Sequence, residues 1–156
     1  SCGLCGLTDF AAFEERLPPV AEEILELDHV ATVKAARAFK ARQPLKQENR
    51  SVHGAAFVHF DGEILMVRED IGRHNALDKL IGALMRENIS PDGGFFLISS
   101  RCSYEMVQKA VRWGARAIVA LSSATSLAVE IAADTNIALA IMTDEGGFFI
   151  PQVDSS

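Results

Sequence analysis

Cysteine is scarce in this chain of 156 residues, which has only Cys2, Cys5 and Cys102. So small and odd a number cannot staple a secreted disulfide framework, and it suits a reducing cytoplasm. Positive charge is also in short supply. The net charge of −6 removes any general attraction to a nucleic-acid backbone or an anionic membrane surface, although a local basic site remains compatible with it. No apolar run approaches the roughly 20 residues that span a bilayer, and no secretory leader is visible. Low-complexity segments and an evident interdomain linker are absent. There is no initiator Met, so a fragment or processed chain is the expectation.

What is present reads as one globular unit. The length is enough for a single core, and the 49% apolar and 23% charged fractions are those of an ordinary folded domain. Residues 8–16 read as a short helix capped by Thr8 or Asp9 and broken by Pro18-Pro19. From Val20 to Arg42 the apolar spacing is helical, acids precede bases as the helix dipole prefers, and Asp28-His29 is a candidate break. Residues 44–50 read as a polar loop. The period then shortens: Val52–Phe60 and Glu63–Arg68 flank Asp61-Gly62, a hairpin signal. An amphipathic helix follows over Asn75–Glu87, and a turn at Pro91–Gly94. Thereafter strands (95–99, 117–121, 137–142) alternate with helices (103–113, 125–133), and Phe148–Ile150 reads as a last short strand. Such alternation implies parallel strands with right-handed crossovers. The predicted fold is α/β, a three-layer α/β/α domain over residues 20–156 with a mixed sheet, preceded over 1–19 by a cysteine loop and short helix.

Four groups of residues carry chemistry. Cys2 and Cys5 form a C-x-x-C pair with a glycine after each sulfur. Two thiols at this spacing can bind metal, form a reversible disulfide, or carry sulfur. The four histidines are scattered and no second C-x-x-C exists, so a closed zinc site lacks ligands and no metal is expected. A glycine-flanked loop fits a thiol that must reach a partner and pass sulfur on. The second group is the dense turn Glu69-Asp70-Ile71-Gly72-Arg73-His74-Asn75. Here Asp70 or Asn75 can cap the following helix, and His74 is a candidate site residue. The third is a pair of serine-rich strand-to-helix turns, residues 99–103 and 122–126, the second echoing the first after 23 residues. Amides at helix starts attract anions, and Arg101 adds charge, so Ser100, Arg101 and Ser126 are candidate phosphate contacts. Ser103 and Ser126 equally fit plain helix capping. The fourth is His53, followed by Gly54-Ala55-Ala56, small enough for a helix or ligand to approach closely.

In this order the motifs resemble the FdhD family of sulfurtransferases that assist formate dehydrogenase maturation. The matching residues are Cys2-Gly3-Leu4-Cys5-Gly6, His53 with its small neighbours, Glu69 through Lys79, Ser99 through Val107, and Thr125 through Val129. The resemblance implies a fold like that of cytidine deaminases and a homodimer. It implies that a cysteine desulfurase donates sulfur to Cys2 as a persulfide, with Cys5 as companion. The sulfur would then pass to a molybdenum bis(molybdopterin guanine dinucleotide) cofactor, for which GDP is a mimic, on behalf of formate dehydrogenase. The family's cofactor-binding stretch falls on Met142-Thr143-Asp144-Glu145-Gly146-Gly147. That stretch is acidic here where the family often carries basic residues, which shifts weight to Arg101 and the serine turns. Two other classes stand beside this one. A cofactor-binding chaperone would need the pocket without the thiols. A zinc nucleobase deaminase would need H-x-E and P-C-x-x-C, which are lacking around His74 and Cys102.

Overall fold

A computed structural model describes residues 16–143 and 147–151. The helix expected over residues 8–16 falls almost wholly outside them. Six strands form one sheet: β1 (His53–His59), β2 (Ile64–Asp70), β3 (Gly94–Ile98), β4 (Ala117–Ala120), β5 (Ala138–Met142) and β6 (Phe148–Phe149), in the order β2-β1-β3-β4-β5-β6. Strands β3, β4 and β5 are mutually parallel; β1 is antiparallel to both β2 and β3, and β6 to β5. This is the expected mixed sheet.

Period-2 alternation decides which face each side chain serves. Ala55, Phe57, Phe96, Ile98, Ile118 and Ala120 point to one face. It is covered by α3 (Arg73–Arg86), α4 (Tyr104–Trp113) and α5 (Ser126–Thr135), through residues such as Leu77, Leu80, Met106, Val107, Ala128 and Ile131. Ala56, Val58, Phe95, Leu97, Val119 and Ala140 point to the other face, against Ala35, Ala36 and Phe39 of α1 (His29–Ala41). The layers are therefore α/β/α. On the first face Phe57, Phe96 and Trp113 pack as an aromatic trio, with Phe96 and Trp113 stacked at 5.3 Å between centroids.

Two local expectations are corrected. The helix predicted over residues 20–42 forms only over His29–Ala41. Asp28 starts it, accepting the Ala31 N–H at 2.8 Å, so the candidate break is a helix start. The stretch before it is non-helical, and its first residues are bound elsewhere. Val20 N–H donates to the Thr135 carbonyl at 2.8 Å, and the Asn136 side chain donates to the Ala21 carbonyl at 2.9 Å. The loop predicted over residues 44–50 contains a short helix, α2 (Pro44–Glu48). Pro44 opens it, and the Leu45 and Lys46 amides donate to the Glu69 carboxylate at 2.9 and 3.1 Å. A strand residue far away in sequence thus supplies the cap. The remaining elements match their predicted places to within a few residues, and α3 begins at Arg73 behind Gly72.

The β1–β3 pairing demands glycine at position 94. A Cβ there would be driven into the backbone carbonyl oxygen of Val58 on the neighbouring strand, whereas one at Gly93 meets nothing within 4 Å. Gly94→Ala should therefore lower stability by about 1–3 kcal/mol, the usual cost of overpacking, and Gly93→Ala should be near neutral. Urea unfolding of the two variants measures this; equal midpoints would refute it.

Candidate functional site

The sheet topology gathers the chemistry at one edge. The parallel strands β3, β4 and β5 all end there. β1 starts there, because Ala55 pairs with Ile98. β2 ends there, because Asp70 pairs with His53. β6 starts there, because Phe148 pairs with Met142. His53, the turn from Asp70 to His74, both serine turns, Met142, Thr143 and Gly147 thus share one rim. In open α/β sheets ligands bind beyond the carboxyl ends of the strands.

Local bonds hold the rim together. The Ser99 hydroxyl accepts the Gly54 N–H at 2.8 Å, and the Ser99 N–H donates to the Gly54 carbonyl at 3.0 Å. The two serine turns are joined by a parallel bridge between Cys102 and Ala124. In it the Cys102 N–H donates to the Ser123 carbonyl at 2.8 Å, and the Thr125 N–H to the Cys102 carbonyl at 3.0 Å. Gly54 admits the end of α1 rather than a ligand, since a Cβ there would lie 2.6 Å from Gln43 Oε1 and 2.9 Å from Phe39 Cζ.

The dense turn divides into supports and free groups. Glu69 is buried and caps α2. Asp70 forms an ion pair with Lys79 and accepts the Gly72 N–H at 2.9 Å. The Lys79 ammonium, then that N–H, hold its carboxyl below the usual carboxylate range. Arg73 forms no ion pair among the described residues, and its Nε is buried without a partner. His74 lies toward α4, beside the Asp78–Lys109 ion pair, and its Nε2 is likewise unpartnered. Burial first, then the Arg73 charge, pushes the His74 pKa down. His53 is half-buried and its pKa is also lowered, by burial and then by the Lys46 and Arg73 charges.

The serine turns behave unequally. Ser100 is buried and gives its hydroxyl to the Arg101 carbonyl at 3.1 Å, while Arg101 is exposed and makes no ion pair among the described residues. Ser126 is exposed in the first turn of α5; the cap itself is Thr125, which accepts the Ala128 N–H at 3.1 Å. Ser103 begins α4 with its hydroxyl buried and unpartnered. Thr143 and Gly147 close a small loop on each other, the Thr143 N–H donating to the Gly147 carbonyl at 2.7 Å. Cys2, Cys5, Asp144, Glu145 and Gly146 lie outside the described residues. Sequence reasoning missed Lys46, whose segment read as loop; Pro44 at a helix start was the available signal.

Cys102 is fully buried and burial pushes its thiol up to about 12. It is a latch between the turns, not a thiolate. Among the described residues no three His, Cys, Asp or Glu side chains converge as a metal site. A separate groove of about 320 Å³ opens beside α5 and β5, lined by Ile24, Val129, Leu139, Ile150 and other apolar residues. It holds no ionisable group and lies apart from the rim's chemistry.

Fold and rim together define an α/β domain with a mixed sheet, whose polar and cationic groups gather at the carboxyl ends of its parallel strands. Comparison with known proteins places it more closely. The FdhD/NarQ family model matches residues 1–150, and the chain belongs to that family. It is 44% identical over 139 residues to the sulfur carrier protein FdhD of Variovorax paradoxus and 42% identical over 138 residues to that of Bordetella petrii. These alignments cover 89% and 88% of this chain but only 50% and 49% of the relatives. The chain therefore spans about half the length of the curated relatives it matches. A crystal structure of a protein assigned as a formate dehydrogenase accessory protein, from Desulfotalea psychrophila, superimposes with a TM-score of 0.76 at 25% identity, covering 87% of this chain and 57% of that one.

Two outcomes follow from the ionisations. Both imidazoles have folded pKa values below their ordinary 6.5, so the unfolded chain takes up protons first. Stability is fully present above about pH 6.5 and falls as pH drops below it. The urea midpoint should decline between pH 7 and pH 5, and less so in a His53→Gln/His74→Gln variant; identical declines would refute the assignment. Cys102 should resist iodoacetamide in the native protein at pH 8 and react once the protein is unfolded in urea, as peptide mass mapping would show.

Proposed function

We propose that the protein is a sulfur carrier with transferase activity. It takes sulfur from a cysteine desulfurase and delivers it to a molybdenum bis(molybdopterin guanine dinucleotide) cofactor needed by formate dehydrogenase. The observation that carries this reading is the family match across residues 1–150, which includes both thiols of the C-x-x-C pair.

One transfer balances on the dithiol's own electrons, and a cellular thiol reductant must then reopen the Cys2–Cys5 disulfide before the next. The Cys2 thiolate attacks the outer sulfur of the desulfurase persulfide, and the desulfurase cysteine leaves as a thiolate. Cys2 then carries the outer sulfur as a persulfide. The Cys5 thiolate can attack the Cys2 sulfur, expelling sulfide and closing a Cys2–Cys5 disulfide. The dithiol thereby supplies the two electrons that convert sulfane sulfur to sulfide. The carboxyl edge of the sheet is the natural seat for the nucleotide portions of the cofactor. Arg101, Ser126, Met142, Thr143 and Gly147 flank it, and the adjoining helix starts offer amides to phosphate. Ser100, with its hydroxyl turned to the backbone, contributes through the shape of its turn. A homodimer and a cytoplasmic setting complete the proposal; among the described residues no helix is long and apolar enough to cross a membrane.

Incubation of the full-length protein with desulfurase and cysteine should add about 32 Da per sulfur, localised to Cys2 by peptide mapping. Cys2→Ala should abolish transferable sulfur and formate dehydrogenase activation. A fully active Cys2→Ala protein would overturn the proposal and favour a cofactor-binding chaperone that works without thiols.

A further inference from the structure

We propose that residues 8–15 seat as an amphipathic helix in the apolar groove beside α5 and β5, and that this seating carries Cys2 and Cys5 to the rim. The occupant of the groove is thus a segment of the same chain, one outside the described residues. The seating stands on the fold and the sequence alone. Its consequence for the thiols deepens the functional reading above and rests on it.

The groove asks for an apolar guest. It encloses about 320 Å³ between Ile24, Val129, Ala133, Ile137, Leu139 and Ile150, and every residue that lines it is apolar. Ile24 and Ile150 are each 53% exposed at its edges. Single exposed apolar residues are ordinary on a surface, whereas a contiguous apolar cleft marks a place where something docks. The groove follows α5 from Val129, one turn inside the rim, to Ala133 and Ile137 at the end away from it.

Tether, pattern and length select the guest. Val20 N–H donates to the Thr135 carbonyl at 2.8 Å, and the Asn136 side chain donates to the Ala21 and Glu22 carbonyls at 2.9 and 3.2 Å. Leu17 packs against the core face that α5 covers, and Ile24 enters the groove wall. The segment before Leu17 is thereby tied close to the far end of the groove. Its pattern suits the cleft: Phe10 and Phe13, three apart, share one helix face, and Glu15 falls opposite them. Residues 152–156 are a poorer guest, since Val153 is their only apolar side chain. The length also matches. Eight helical residues cover about 12 Å, and the ten residues of α5 cover about 15 Å. A helix running back along α5 from Leu17 therefore brings Thr8 close to the rim. Cys5 lies three residues further and Cys2 six, a reach of about 10 and 20 Å of extended chain. Both thiols then command the edge at which the parallel strands end.

The test is cross-linking in the full-length protein. Glu14→Cys, on the flank of the Phe10–Phe13 face, is paired with Ala133→Cys in the groove wall, in a Cys2→Ser/Cys5→Ser background. Cys102 is buried and stays silent. A short bismaleimide should join the two new thiols within one chain. Glu14→Cys paired with Lys40→Cys, an exposed position on the helix that covers the other face of the sheet, should not link. Adding Phe10→Ser and Phe13→Ser should abolish the first link with circular dichroism unchanged, and should speed amide hydrogen exchange along α5. A link that survives those two changes would overturn the inference. So would equal linking to Lys40→Cys, or a link only between two chains, which would give the groove to a second copy. With both thiols restored, Phe10→Ser/Phe13→Ser should still load persulfide at Cys2 but lose most formate dehydrogenase activation; full activation would overturn the delivery role. The sulfur-carrier reading is judged separately: a groove link in the cysteine pair, with no Cys2 persulfide in the wild type, would keep the seat and sink that reading.

Discussion

Strand β3 pairs antiparallel with β1 on one side and parallel with β4 on the other, and the geometry of the rim depends on that switch. Parallel strands bring their carboxyl ends, and the helix starts that follow, to the same edge. The antiparallel hairpin turns β1 around, so that its beginning and the end of β2 reach that edge too. Motifs separated by most of the chain become neighbours as a result. The pairing is tight enough that Gly94 meets the Val58 carbonyl with no room for a side chain. The Ser99–Gly54 bonds then close the seam at the functional edge.

The rim shows a division of labour that follows from burial. Groups whose hydrogen bonds are complete within the protein build the frame. These include Glu69 on the α2 amides, Asp70 on Lys79, Cys102 bridging two turns, and Ser100 on its own backbone. Groups whose bonding is incomplete lie among them: Arg73, His74 and Ser103, each with a buried polar atom lacking a partner. Native proteins satisfy buried polar groups almost without exception. Three such atoms lie at the adjoining starts of α3 and α4, and Gln43 Oε1 and Arg116 Nε share the same condition. The apolar groove beside α5 has no such groups, and its size alone gives it no chemistry.

Charge follows the same logic. The chain as a whole is acidic, yet Lys46, Arg73 and Arg101 stand at one edge without acidic partners among the described residues. Local field, not net charge, governs which ligand a site receives. The composition therefore excluded a broad nucleic-acid surface without excluding a confined anion site.

The sequence by itself determined the class of fold and the order of its elements. The Asp61-Gly62 hairpin, the amphipathic α3 and the alternation from β3 to β5 were all legible, because turn chemistry and hydrophobic period are encoded within a few residues. The motifs that mark family membership were legible for the same reason. Tertiary structure decided what depends on residues far apart. The α2 helix is capped by Glu69 from 24 positions away, and residues 20–22 are held out of the helix by hydrogen bonds to the end of α5. Cys102 is one of three cysteines in the sequence, and only the core that closes over it makes it an inert latch between two turns.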